Sequence, residues 1–101
     1  MPAIDHEYTV QGLKFHTSAE KVTKDWYTWQ IELAGPKETL DSVHEVEYIL
    51  HPTFPDRIRR LTNRKENFRL QSEGWGEFDI VVNVYFKDDD EKTAIVPLKL
   101  G

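Results

Sequence analysis

A chain of 101 residues, 39% of them hydrophobic, is one domain's worth of sequence, enough for a modest core without covalent staples. Its formal net charge of -5 and 31% charged residues describe a well-solvated surface, and the lack of cysteine excludes disulfides, a thiol nucleophile and any cysteine-held metal. No apolar run approaches the ~20 residues of a membrane-spanning helix, and Met1–Glu7 has neither the basic start nor the apolar stretch of a signal peptide. A cytoplasmic location is expected, or a nuclear one if the chain is eukaryotic, with no membrane partner.

Taken in chain order, the elements follow a period of two. Residues 1–7 read as a flexible N-terminal arm ahead of one domain at 8–101. Tyr8-Thr9-Val10 and Leu13-Lys14-Phe15 alternate, and the phase slip at Gly12 predicts a β-bulge. Across Trp26–Leu33, one face carries Trp29, Ile31 and Leu33 and the other Thr28, Gln30 and Glu32. After the turn signal Gly35-Pro36-Lys37, Lys37–His44 holds one helical turn at most. From Val43 to Leu50, Val46, Tyr48 and Leu50 share a face while Glu45 and Glu47 point away. Turn signals follow at Pro52–Asp56 and Ser72–Gly74. The run Glu77–Phe86 places Phe78, Ile80, Val82, Val84 and Phe86 together, and after Lys87–Asp90 the last run aligns Ala94, Val96, Leu98 and Leu100. Six or seven short strands with frequent turns predict an all-β antiparallel sandwich. Trp29, Ile31, Tyr48, Ile80, Val82, Val84 and Leu98 are its expected core, and spacing adds Trp26, Phe78 and Phe86.

Catalytic chemistry finds little support. Ser18, Ser42 and Ser72 sit in no nucleophile elbow, and His51 beside Thr53 without a placed acid is no triad. His6, His16, His44 and His51 lack ligand spacing. Asp88-Asp89-Asp90-Glu91 lacks the glycine and spaced oxygens of a calcium loop and reads as a solvated turn. No catalytic residue, metal or cofactor is expected. The stretch Arg57–Arg69 carries six cations against Glu66, +5 net, which leaves -10 for the rest of the chain. Such a strip is a candidate phosphate contact. A solvated loop whose arginines pair with nearby carboxylates is the favoured alternative, and nucleic acid is not an expected partner of an acidic chain.

Two short segments remain: Leu50-His51-Pro52-Thr53-Phe54-Pro55 and Gly74-Trp75-Gly76-Glu77-Phe78-Asp79. Each puts an aromatic residue beside proline or glycine, where regular strands end, and glycines on both sides of Trp75 let backbone approach a ligand. Two rings and a hydroxyl on separate loops would form a slot for a flat group. The pattern is equally compatible with rings that plug the end of a sandwich.

These segments, in this order and on this strand pattern, resemble the YEATS domain family, over most of the chain. Asp25-Trp26 through Gly35-Pro36 is similar to the family's early strand. Val46–Pro55 is similar to its strand leading into a His-x-Ser/Thr-aromatic loop, and Gly74–Phe78 to its Gly-aromatic-Gly/Ala loop. The short acidic chain is similar to stand-alone or prokaryotic members. The resemblance implies an immunoglobulin-like sandwich that reads acylated lysine, acetyl or crotonyl, without being an enzyme. It implies Phe54 and Trp75 as facing rings, Thr53 as the hydroxyl partner of the acyl amide and the Trp75 backbone N–H as donor to the acyl carbonyl. Gly74 and Gly76 would allow close approach, and His51 would support the loop. Histone-reading members often carry an acid near the end of the last strand, and Ala94–Leu100 has none, so an acyl-lysine protein or peptide is expected as partner with the histone tail in question. A protein-interaction module of the same fold with a different ligand is the alternative.

Overall fold

The structure is a computed structural model that describes residues 3–101. Among these, eight strands make two four-stranded antiparallel sheets. The strands are β1 (Ile4–Val10), β2 (Leu13–Thr23), β3 (Trp26–Ala34), β4 (Val43–Ile49), β5 (Ile58–Leu61), β6 (Leu70–Gly74), β7 (Phe78–Phe86) and β8 (Glu91–Leu98). One sheet runs β1-β2-β3-β6 and the other β5-β4-β7-β8. A single helical turn, α1 (Lys37–Asp41), crosses between them, as the sequence allows.

The core lies between the sheets and follows the alternation. All seven expected core residues are buried: Trp29, Ile31, Tyr48, Ile80, Val82, Val84 and Leu98. Phe78 and Phe86 are only half-buried, and Trp26 is 38% exposed. Trp26 shares its strand face with Thr28 and Gln30, on the solvent side of β3, so its size does not bring it inside.

Three expectations need correction. The arm expected over residues 1–7 is largely strand: Ile4–Glu7 pair with His16–Ala19 as part of β1, because alternating apolar residues cover the sheet's flank. Its first two residues lie outside the described ones. The phase slip at Gly12 is not a bulge. Val10 pairs directly with Leu13, and Gln11 (φ 56°) and Gly12 (φ 74°) form a two-residue hairpin turn whose central residues both take positive φ. Register shifts occur instead between Lys21 and Thr23 and between Val43 and Glu45. Finally, β5 and β6 fall in stretches expected as loop and turn.

The connection between β5 and β6 is held from inside. Its single 3-10 turn (Arg64–Glu66) ends with Asn67 and Phe68 both in the left-handed region, at φ 55° and 57°. For a ring as bulky as Phe68 that conformation is rare. Phe68 is buried, its N–H donates to the Asn63 carbonyl at 3.0 Å, and its carbonyl accepts the Tyr48 hydroxyl at 2.7 Å. Burial pushes the Tyr48 phenol far up, so it stays a donor. Replacing Tyr48 with Phe strands the Phe68 carbonyl in the core and should cost about 1–3 kcal/mol, read as a lower denaturation midpoint at unchanged slope.

On the outer face of the second sheet, Glu47 joins three strands. It accepts from Asn83 at 2.9 Å and Arg60 at 3.1 Å, and the Tyr85 hydroxyl lies 3.5 Å away. The Asn83 hydrogen bond is the main cause that holds its carboxyl below the ordinary 4.5; burial opposes it, and the Arg60 contact adds to the lowering. A carboxyl whose folded value is depressed stabilises the fold fully above its unfolded value and loses that contribution as pH falls through its folded value. Stability should therefore drop below about pH 4.5, and Glu47→Gln should drop less steeply there in thermal melts across pH 2–6.

Candidate functional site

Strand β4 ends at Ile49, and the chain turns back through a short, tightly pinned loop before β5. The Leu50 N–H donates to the Arg57 carbonyl at 2.7 Å, and the Phe54 N–H to the His51 carbonyl at 3.0 Å. The Arg59 side chain reaches back to hold the carbonyls of Pro55, at 3.1 Å, and Asp56. These bonds hold Thr53 and Phe54 at one end of the sandwich.

Phe54 is half-buried there in an aromatic cluster. Its ring meets Trp29 edge-on, with centroids 6.2 Å apart and planes at 84°, and lies 5.3 Å from Phe78 at 49°. Trp29 and Phe78 are themselves 5.8 Å apart at 73°. His51 stands 6.2 Å from Phe78 at 64°. Edge-to-face and tilted contacts of this kind each contribute about 0.5–1.5 kcal/mol beyond area burial.

Trp75 differs. It follows the last residue of β6, is 70% exposed and belongs to none of the aromatic pairs at this end. The plug reading therefore describes Phe54 and not Trp75. The facing pair expected from the sequence is not formed: the ring partners of Phe54 are Trp29 and Phe78, and Trp75 stands free.

Between them lies a cleft of about 430 Å³ lined by all six residues singled out in the sequence, His51, Thr53, Phe54, Gly74, Trp75 and Gly76. Trp26, Arg59, Glu73 and Phe78 join them. Neither glycine takes a positive φ. What matters at Gly74 is the missing side chain: a Cβ there would already touch Phe54 Cζ at 3.5 Å, so a larger residue would crowd the edge of that ring. At Gly76 a Cβ would meet nothing within 4 Å, so sterics do not require glycine there. The signal that places Trp26 here is its parity with Thr28 and Gln30, against the core position expected from its strand spacing. Arg59 and Glu73 gave no signal of their own, because β5 and β6 were not expected as strands.

The hydrogen-bonding character of the cleft is set by His51. The Thr53 N–H donates to His51 Nδ1 at 3.2 Å, which assigns Nδ1 the acceptor role. The Thr53 hydroxyl, 2.9 Å from the same nitrogen, then donates to it as well. Thr53 Oγ1 keeps its lone pairs as acceptors for an incoming N–H.

The basic stretch 57–69 is dispersed over separate partners. Arg60 pairs with Glu47, Arg64 with Asp41 at 2.7 Å, and Arg69 lies 3.7 Å from Glu32. The Arg64 guanidinium holds the Asp41 carboxyl below the usual carboxylate range. Arg57 and Arg59 contact loop carbonyls. The stretch is a set of local pairings rather than a continuous strip.

Comparison with known proteins gives a consistent result. The chain matches the transcription initiation factor TFIID subunit 14 of Schizosaccharomyces pombe at 37% identity over 65 residues, 59% of this chain and 26% of that protein. It matches the protein AF-9 homolog of Saccharomyces cerevisiae at 35% over 71 residues, 68% of this chain and 30% of that one. The chain thus spans about a quarter to a third of the length of these curated relatives. Among solved structures, the Yaf9 YEATS domain bound to an acetylated H3 peptide superposes with a TM-score of 0.74 at 23% identity, covering 99% of this chain and 75% of that one. The same domain with a succinylated H3 peptide gives 0.74 at 24%, covering 99% and 77%. At that identity the likeness establishes the fold. The family model of the prokaryotic YEATS domain matches residues 27–99, a span that includes both loops of the cleft, and this chain belongs to that family.

Proposed function

We propose that this domain is a non-enzymatic reader that binds an acylated lysine in the cleft between Phe54 and Trp75. The observation that carries the reading is the juxtaposition of one fixed ring, one free ring and one hydroxyl with its acceptor side unused. Support also comes from the Yaf9 YEATS domain, solved with acetylated and succinylated H3 peptides.

The roles follow from the chemistry. Acylation removes the lysine charge, so an apolar cleft no longer rejects the side chain for its hydration. The acyl chain lies against Phe54, which the Trp29 and Phe78 contacts keep in place, and Trp75 closes on its other side. A flat, conjugated chain such as crotonyl offers both rings a π face where acetyl offers a methyl. Thr53 Oγ1 accepts from the acyl amide N–H, and the Trp75 backbone N–H donates to the acyl carbonyl. Both partners are needed, because a buried unpaired amide group costs about 1–3 kcal/mol. Gly74 keeps the edge of Phe54 clear. His51 acts through Thr53 and is a positioning residue.

Titration with a panel of otherwise identical peptides tests this. Crotonyl-lysine should bind more tightly than acetyl-lysine, with unmodified lysine undetectable. Trp75→Ala should weaken crotonyl-lysine binding about tenfold, on the order of 1–2 kcal/mol, with its melting temperature preserved because the ring lies outside the core. No binding of any acyl peptide by the folded wild type would leave a YEATS-fold interaction module with a different ligand.

A double-mutant cycle checks the division of labour between His51 and Thr53. Thr53→Val should cost about 1–3 kcal/mol of binding and His51→Ala about half that. The double variant should lose no more than Thr53→Val alone, since His51 works only through the hydroxyl. Additive losses would mean that His51 touches the ligand itself.

A further inference from the structure

A larger concavity adjoins the cleft. It is an open groove of about 720 Å³ on the outer face of the β1-β2-β3-β6 sheet. The register lays out its floor in two cross-strand rows. Ser18, Gln30 and Gln71 are opposite one another across β2, β3 and β6, and so are Glu20, Thr28 and Glu73. Ser72 and Glu73 line both cavities, so the groove and the cleft share a wall at the end of β6.

The floor suits a peptide backbone. Gln71 Nε2 donates to Gln30 Oε1 at 3.3 Å, which leaves the far end of each amide able to bond a ligand. Its charge is of one sign: Glu20 and Glu73 line the groove, no lysine or arginine does, and neither acid is in an ion pair among the described residues. The arginines of 57–69 bond to Glu47, Asp41, Glu32 and loop carbonyls, and no cation of that stretch lines this groove.

We infer that this groove seats the segment flanking the acyl-lysine, and that the segment is basic. The inference rests on the cleft as the acyl site. Continuity with that cleft fixes where the peptide enters, and the uncompensated carboxylates fix its charge. Glu73 stands at the cleft and Glu20 two strands further on, about 10 Å at ~4.8 Å per strand. Extended chain advances ~3.3 Å per residue, so lysine or arginine belongs within about three residues of the acylated one. The last strand, which offers no carboxylate from Ala94 to Leu100, is not needed for this recognition.

The test uses capped crotonyl-lysine amide, a crotonyl-lysine peptide with arginines two and three residues away on one side or the other, the same peptides with glutamine there, and the basic peptides unacylated. At least one arginine peptide should bind about two- to fivefold more tightly per cation than its glutamine counterpart, and less so in high salt. Glu20→Lys should abolish that advantage and leave the affinity for capped crotonyl-lysine amide unchanged. Equal affinities of arginine and glutamine peptides, or an advantage that survives Glu20→Lys, would overturn the inference. Amide resonances separate the two readings. If the capped amide leaves Trp75 unmoved while an unacylated basic peptide at millimolar concentration shifts Ser18, Thr28 and Gln30, the acyl cleft fails and the basic groove stands. If neither shifts anything, both fail.

Discussion

An open sandwich has to be sealed at its ends, and at the end where β4, β6 and β7 meet, the seal is one residue of a loop. Phe54 drops onto Trp29 and Phe78, and the three rings close the core there. Everything proposed for this end depends on that contact. It spends one side of the Phe54 ring on the core, so the ring is held without help from a ligand. The Cζ edge of the ring adjoins Gly74, where no side chain intervenes. A surface of this sort is prepared before binding, which lowers the ordering cost a ligand must meet. Trp75 carries the opposite specification. It is exposed and free of ring partners, so it can adjust to the thickness of what lies on Phe54.

Polar organisation follows the same division between fixed and free. The loop from Leu50 to Arg57 is bonded to itself, and Arg59 of β5 clamps two of its carbonyls. Within that frame His51 takes both Thr53 donors onto one nitrogen, which commits the hydroxyl to accepting. The arginines of the basic stretch are engaged within the fold. Arg60 secures Glu47 across β4 and β5, and Arg64 ties α1 to the β5–β6 connection through Asp41. Glu20 and Glu73, outside these pairings, lie on the other sheet, beside the cleft.

Much of this was legible in the chain because the two sheets bury alternate residues. The runs around Trp29, Tyr48, Ile80–Val84 and Leu98 have strict period two, and each places the expected residues in the core. The family pattern likewise named six residues that line one cleft. What escaped had weak or conflicting signals. Strand β5 is Ile-Arg-Arg-Leu, an edge strand whose alternation is hidden by adjacent arginines with different tasks. Strand β6 is Leu-Gln-Ser-Glu-Gly, which has turn composition and is extended because β3 pairs with it. Trp26 has the spacing of a strand residue but the parity of the solvent face, and the exposure of Trp75 follows from where β6 stops, which no local pattern states.

The central claim is that an acyl chain lies between a fixed Phe54 and a free Trp75. Intermolecular NOEs in the complex with crotonyl-lysine peptide address it most directly. Contacts from the crotonyl methyl and vinyl protons to the rings of both Phe54 and Trp75, with the Trp29 indole unmoved, are the expected result. Saturable binding with crotonyl contacts elsewhere, such as the exposed aliphatic row of Ile58 and Ile95 on the opposite sheet, would contradict it.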